Sequence, residues 1–172
     1  MIILICGPMF SGKTSFLLSY ERKSLIAQKK CCYLKFQNDK RYSDTNVVNH
    51  DGHINKSTVY NTMYCMDIEK EMEPYDIILI DEGQFYSDLS NFCDTFGTTK
   101  TIIISALSGD YKMKMFQPIM DIFGKADKII HSTAICTSCG EDAPFTKRLF
   151  ESNEQVLIGG KEMYVPKCRK CY

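Results

Sequence analysis

Gly7-Pro8-Met9-Phe10-Ser11-Gly12-Lys13-Thr14, directly behind the apolar run Ile2-Ile3-Leu4-Ile5-Cys6, decides how the rest of this chain is read. It fits G-x-x-x-x-G-K-[ST] in the setting that pattern requires: a short buried strand before it and a helical pattern after it. The chemistry explains the residues. Backbone N–H groups of such a loop approach phosphate oxygens closely, and the dipole of the following helix favours the anion. Lys13 then reaches the β- and γ-phosphates, and the Thr14 hydroxyl ligates Mg²⁺.

Downstream of the loop, Thr14 to Gln28 carries Phe16, Leu17, Tyr20, Leu25 and Ile26 among charged residues, a stripe expected to pack a helix on a sheet. Cys31 to Phe36 follows as a strand, and the crossover between the two strands demands parallel pairing. Residues 37–60 are polar and offer little to anchor them, as in a functional or mobile connection. Within that connection Arg41, His50 and Asp51 are candidates to face a nucleotide.

Met66 to Met72 reads as a short amphipathic segment. The next strong signal is Ile77-Ile78-Leu79-Ile80-Asp81-Glu82, an apolar strand ending in two acids. In an open α/β sheet that end faces the ligand crevice, so Asp81 is expected to hold Mg²⁺ opposite the phosphate loop. Glu82, not needed by the same metal, is suited to take a proton from an attacking oxygen. A helix from Phe85 to Phe96, a central strand from Thr101 to Leu107, a short helix from Phe116 to Phe123 and a last strand from Lys128 to His131 complete the first part of the chain. His131, with no acid or thiol beside it, reads as a surface or packed histidine.

The chain has 172 residues, enough for one domain with a small appendage. Lys plus Arg and Asp plus Glu number 21 each, so zero formal charge argues against a broad nucleic-acid footprint. The N-terminal apolar run lacks a basic flank and enters the phosphate loop, so it reads as a strand of the fold rather than a signal segment. No stretch approaches the roughly 18 apolar residues of a membrane span, and a soluble, cytoplasmic protein is expected.

Nine cysteines are an odd number, and a nucleotide loop points to the reducing cytosol rather than to a disulfide framework. Cys6, Cys31, Cys32, Cys65 and Cys93 sit in or beside apolar segments and read as small buried hydrophobes. The others form two knuckles, Cys136-Thr137-Ser138-Cys139 and Cys168-Arg169-Lys170-Cys171, with 28 residues between them (140–167). Four thiolates so spaced suit tetrahedral Zn²⁺ in a closed, structural site. The chain therefore divides into 1–133, an ATP-binding α/β domain, and 134–172, a zinc-binding subdomain. Between the knuckles lie Thr146-Lys147-Arg148, Val156-Leu157-Ile158-Gly159-Gly160 and Tyr164; the basic residues Lys147, Arg148, Lys161, Lys167, Arg169 and Lys170 read as a solvated face.

Taken together, the loop, the Asp81-Glu82-Gly83-Gln84-Phe85 segment, the knuckles and Ile158-Gly159-Gly160 resemble the type II, cytosolic-type thymidine kinases over essentially the whole chain. Its compactness is most similar to the enzymes of large DNA viruses, poxviruses in particular. The resemblance implies a RecA-like sheet plus a zinc-held loop, a lasso, closing over the nucleoside. It also implies ATP-dependent phosphorylation of the thymidine 5′-hydroxyl by a homotetramer inhibited by dTTP. Position by position, it implies Glu82 as catalytic base, Lys13 and Thr14 on phosphate and Mg²⁺, and Asp81 as the second acid. Met9, Phe85, Leu107, Tyr111, Phe116, Thr146 and Tyr164 would enclose the nucleoside, with main chain from Val156 to Gly160 reading the base edge and Asp51 near the phosphates. Leu107-Ser108-Gly109-Asp110-Tyr111 departs from the family's frequent Leu-Asp-Gly-Thr-Phe. Two readings of other classes stand beside this one: a nucleic-acid-stimulated ATPase with a zinc-ribbon module, and a nucleotide sensor that docks a partner.

Overall fold

Ile2 to Gly7 is buried at every position, which only a strand covered on both faces permits, and this strand, β1, is central in the sheet. The computed structural model describes residues 1–172 except Lys40, Tyr42, Asp44 and His50. The candidate at His50 therefore lies outside the described residues.

Helix α1 (Lys13–Ile26) leaves the loop and leads to β2 (Cys31–Phe36). Then come β3 (Thr58–Thr62), β4 (Ile77–Ile80), α2 (Leu89–Phe96), β5 (Thr101–Leu107), α3 (Gln117–Phe123) and β6 (Lys128–His131). The six strands form one sheet in the order β3-β2-β4-β5-β1-β6, and every pairing in it is parallel.

The apolar runs are continuous because successive residues serve two different cores. Leu4, Cys6, Leu34, Ile78, Ile80, Ile102 and Ile104 face the layer that contains Leu89, Phe92, Ile119 and Ile122 of α2 and α3. Ile3, Ile5, Tyr33, Leu79 and Ile103 face the other layer, where Leu17 of α1 packs. Parallel pairing puts the C-terminal ends of β1, β4 and β5 along one edge, so the phosphate loop, Asp81-Glu82 and the segment after Leu107 emerge side by side.

Three expectations change here. In α1, Phe16, Leu25 and Ile26 are exposed, and the buried positions are Lys13, Leu17, Glu21 and Ser24. Glu21 earns burial by accepting the backbone N–H groups of Lys56 at 2.8 Å and Ser57 at 2.7 Å, which ties down the polar connection just before β3. That edge strand, β3, occupies part of what reads as irregular polar chain. The helix expected from Phe85 begins only at Leu89, after a single 3-10 turn over Gly83–Phe85. Asp88 does not cap α2: its carboxylate instead accepts the Cys65 and Met66 N–H groups.

Beyond β6 the chain builds two small antiparallel pairs. These are β7 (Ala134–Ile135) with β8 (Asp142–Ala143), and β9 (Phe145–Arg148) with β10 (Tyr164–Lys167). Their core is only Ala134, Cys136, Ala143 and Cys168, with Phe10 and Cys171 packed on it. No helix among the described residues is long and apolar enough to cross a membrane.

Candidate active site

Gly7 ends β1 where a side chain has no room: an added Cβ would lie 2.5 Å from the Ser132 carbonyl oxygen and 2.7 Å from Ser11 Oγ. Gly12, at φ 77°, takes the left-handed turn that starts α1, and Phe10 is held in the same region at φ 66°. Inside the loop, Lys13 Nζ donates to the Pro8 carbonyl at 2.6 Å, and Ser11 Oγ donates to the same carbonyl at 2.9 Å. The loop's own carbonyl thus engages the ammonium. Burial lowers the Lys13 pKa, with Glu82 and Asp81 pulling it back up.

Opposite the loop stand the two acids that follow β4. Asp81 Oδ1 accepts the Ser105 hydroxyl at 2.5 Å; burial, and then the charge of Glu82, raises its pKa to about 6. Glu82 sits in the left-handed region at φ 52°, which turns its carboxylate away from the strand line and into the cleft. Its Oε1 accepts Arg41 Nη2 at 2.5 Å and its Oε2 accepts Gln84 Nε2 at 2.5 Å. Burial alone would push this carboxyl up, but the Arg41 and Lys13 cations outweigh it and hold it below its ordinary value. Gln84 is fixed in turn by accepting the Leu107 N–H at 3.0 Å. Gly83 must be glycine, since a Cβ there would sit 2.5 Å from Ile104 Cγ2.

Thr14, Asp39, Asp81 and Glu82 border one small polar recess beside the loop. Lys35 and Arg41 line it too, and its hydroxyl and carboxylate oxygens are the hard donors that a divalent cation such as Mg²⁺ takes. The recess opens beside a cleft that runs from Ser11, Gly12, Lys13 and Thr14 to a largely apolar far end. Met9, Phe85, Leu107, Tyr111, Phe116, Thr146 and Tyr164 all line that cleft, as do Val156, Leu157, Ile158 and Gly159. Gly160 does not line it; its carbonyl accepts the Met163 and Tyr164 N–H groups and closes the loop's last turn.

Nor is Asp51 brought here. Asp51 is exposed at the tip of a tight turn, lines neither the cleft nor the recess, and its N–H bonds Asn49 Oδ1. The polar connection contributes Asp39 and Arg41 instead: Arg41 bonds both carboxylates, reaching Asp39 Oδ2 at 2.6 Å as well as Glu82. Arg41 was legible as a candidate from sequence, whereas Asp39 carried no local signal. Arg148, read as part of a solvated face, is buried.

The sulfurs of Cys136, Cys139, Cys168 and Cys171 lie within 4.8 Å of one another, a thiol set that fits a tetrahedral metal ion. Backbone N–H groups, that of Cys168 foremost, aim at the Cys136 sulfur and lower its pKa to about 6, whereas hydrogen bonds from the neighbouring thiols raise those of Cys139 and Cys171. This cluster is joined to the phosphate loop in two ways. The Met9 N–H donates to Thr146 Oγ1 at 2.9 Å, and the Phe10 ring packs on the cysteine core.

Comparisons with known proteins agree with this architecture. The solved structure of the flagellar accessory protein FlaH from Methanocaldococcus jannaschii superposes with a TM-score of 0.51 at 16% identity, over 82% of this chain and 74% of that one, a likeness of fold. Thymidine kinase of vaccinia virus (strain Ankara) is 40% identical over 172 residues, 99% of this chain and 96% of the relative. Thymidine kinase of sheeppox virus (strain KS-1) is 40% identical over the same shares. Thymidine kinase 1 of Dictyostelium discoideum is 39% identical over 179 residues, 99% of this chain and 77% of the relative. The family model described as Thymidine kinase matches residues 1–172, and the chain therefore belongs to the thymidine kinase family.

Proposed function

We propose that this chain transfers the γ-phosphoryl group of ATP to the 5′-hydroxyl of thymidine, giving dTMP and ADP. The observation that carries the reading is the cleft itself: a phosphate loop at one end, an apolar, aromatic-walled chamber at the other, and Glu82 between them. Family membership supplies the substrate.

In this reading Gly7 to Thr14 cradle the triphosphate. Lys13 leaves the Pro8 carbonyl to meet the β- and γ-phosphates. Thr14 and Asp81 hold Mg²⁺, which when bound neutralises charge on the triphosphate. Met9, Phe85, Leu107, Tyr111, Phe116, Thr146 and Tyr164 enclose the nucleoside, and the main chain from Val156 to Gly159 faces the base edge. Glu82 accepts the 5′-hydroxyl proton as that oxygen bonds to the γ-phosphorus and the bond to the ADP oxygen breaks. Its two oxygens already accept from Arg41 and Gln84, but a carboxylate has about four lone-pair sites, so a third donor is accommodated. The ion pair keeps Glu82 ionised at neutral pH, ready to accept the proton.

Four cysteines holding Zn²⁺ would make 134–172 a subdomain of its own beside the ATP-binding part, 1–133, with the 149–163 loop as a lasso. A dTTP molecule combines the base and the triphosphate, so it suits the whole cleft as an inhibitor. For the assembled state we propose the homotetramer that the resemblance implies. Nine free thiols and an ATP-dependent reaction favour the cytoplasm. The test is ADP release measured across a panel of nucleosides, with DNA as a further arm. Release that requires thymidine supports the kinase; release stimulated by DNA and indifferent to thymidine would replace it with the nucleic-acid-stimulated ATPase.

A further inference from the structure

Arg148, the last residue of β9, is only 7% exposed, and no carboxylate comes within ion-pair distance of it among the described residues. A buried cation without a counter-ion is expensive unless other groups solvate it. Here the solvating groups come from the lasso and the cleft wall. Nη1 donates to the carbonyls of Glu154 at 2.7 Å and Ser152 at 3.3 Å, and Nη2 donates to the Gln155 carbonyl at 3.2 Å and to Tyr164 Oη at 3.0 Å. The guanidinium carbon lies 3.8 Å from the centroid of the Tyr111 ring, a close cation–π stack. Nε–H is the one donor left unbonded.

Arg148 does not line the cleft, but Tyr111, Gln155 and Tyr164, which it touches, all do. Those contacts are also cross-linked to one another. Tyr111 Oη donates to the Ser152 carbonyl at 2.7 Å, Gln155 Nε2 donates to Asp110 Oδ2 at 3.0 Å, and Tyr164 Oη donates to the Leu157 carbonyl at 2.9 Å. The planar fork therefore sets the turn at 152–155, and that turn sets where the main chain of 156–159 meets the cleft.

We propose that Arg148 is the positioning residue of the nucleoside pocket, the side chain around which the lasso takes its closed shape and on which two of the pocket's aromatic walls are hung. The proposal rests on the assignment of the apolar end of the cleft to the nucleoside. A point charge cannot replace the guanidinium, because one ammonium lacks the parallel donors and the flat face.

Steady-state kinetics of Arg148→Lys and Arg148→Met test this, each measured with ATP and thymidine varied separately. Loss of charged hydrogen bonds and of the stack should raise the thymidine KM about tenfold or more in both variants, with the ATP KM within about twofold of wild type. Thermal melting and zinc content are read on the same samples. A rise in both KM values together, or a lower melting temperature with thymidine KM unchanged, would overturn the proposal and leave Arg148 a stabilising residue only. Should the Met variant not fold, the Lys variant decides: a wild-type thymidine KM overturns the proposal and a selective rise supports it. Wild-type enzyme that releases no ADP with thymidine would instead remove the assignment of the cleft, a result distinct from either outcome for Arg148.

Discussion

Asp81 and Glu82 are adjacent, both half-buried, and driven in opposite directions. Glu82 has two cations and stays ionised; Asp81 has one hydroxyl donor and a neighbouring negative charge, and is raised to about 6. A carboxyl with a folded pKa above its ordinary unfolded value of about 3.9 holds its proton more tightly in the fold. Its contribution to stability is thus fully present below about pH 4 and is lost as pH rises through about 6, on the order of 2–3 kcal/mol in total. Melting temperatures measured in Mg²⁺-free buffer should therefore fall in wild type relative to Asp81→Asn across that window, and a constant difference would refute it. Glu82→Gln should cut turnover by about 10² to 10⁴-fold while ATP binding, measured by titration, persists; near-normal turnover would remove Glu82 as proton acceptor. Both acids were legible as site residues at the end of an apolar strand. Their roles as metal holder and proton acceptor were legible too, but their opposite protonation tendencies were not, because those depend on Arg41, 41 residues distant along the chain, and no local pattern encodes that approach. Arg148 was misread for the same reason: counting charges does not show that carbonyls and an aromatic face wait to solvate one of them.

At the scale of elements, β1 and β4 were readable because burial on both faces makes each an unbroken apolar run, and β2 and β5 because theirs are broken only by Lys35 in β2 and by Thr101 and Ser105 in β5. The edge strand β3 was not: Thr58-Val59-Tyr60-Asn61-Thr62 has one buried residue, and β2 supplies its pairing. The junction of β1 with the phosphate loop is where packing is least forgiving, since the atom nearest a Gly7 Cβ belongs to backbone. Gly7→Ala should cost about 1–3 kcal/mol in chemical denaturation and disable ATP binding. Gly124→Ala, where a Cβ meets nothing within 4 Å and the backbone is right-handed, is the matched control and should be close to neutral.

For the molecule as a whole, the cysteine module has too small a core to hold its shape by burial, and metal binding of about 10 kcal/mol or more is what would hold it. Chelation should lower thymidine-dependent turnover at least about tenfold while far-ultraviolet circular dichroism retains the signal of the six-stranded sheet, and added Zn²⁺ should restore turnover. Full turnover in metal-free protein would show the thiols to be dispensable. The bond from the Met9 amide to the Thr146 hydroxyl, with Phe10 seated in the cysteine core, has a consequence for how affinities combine. A loop that cradles phosphates is, through its own second and third interior residues, also part of the wall of the other substrate's chamber. Under the proposed function the two ligands share this wall, so whatever factor nucleoside binding applies to ATP affinity, ATP returns to the nucleoside in equal measure.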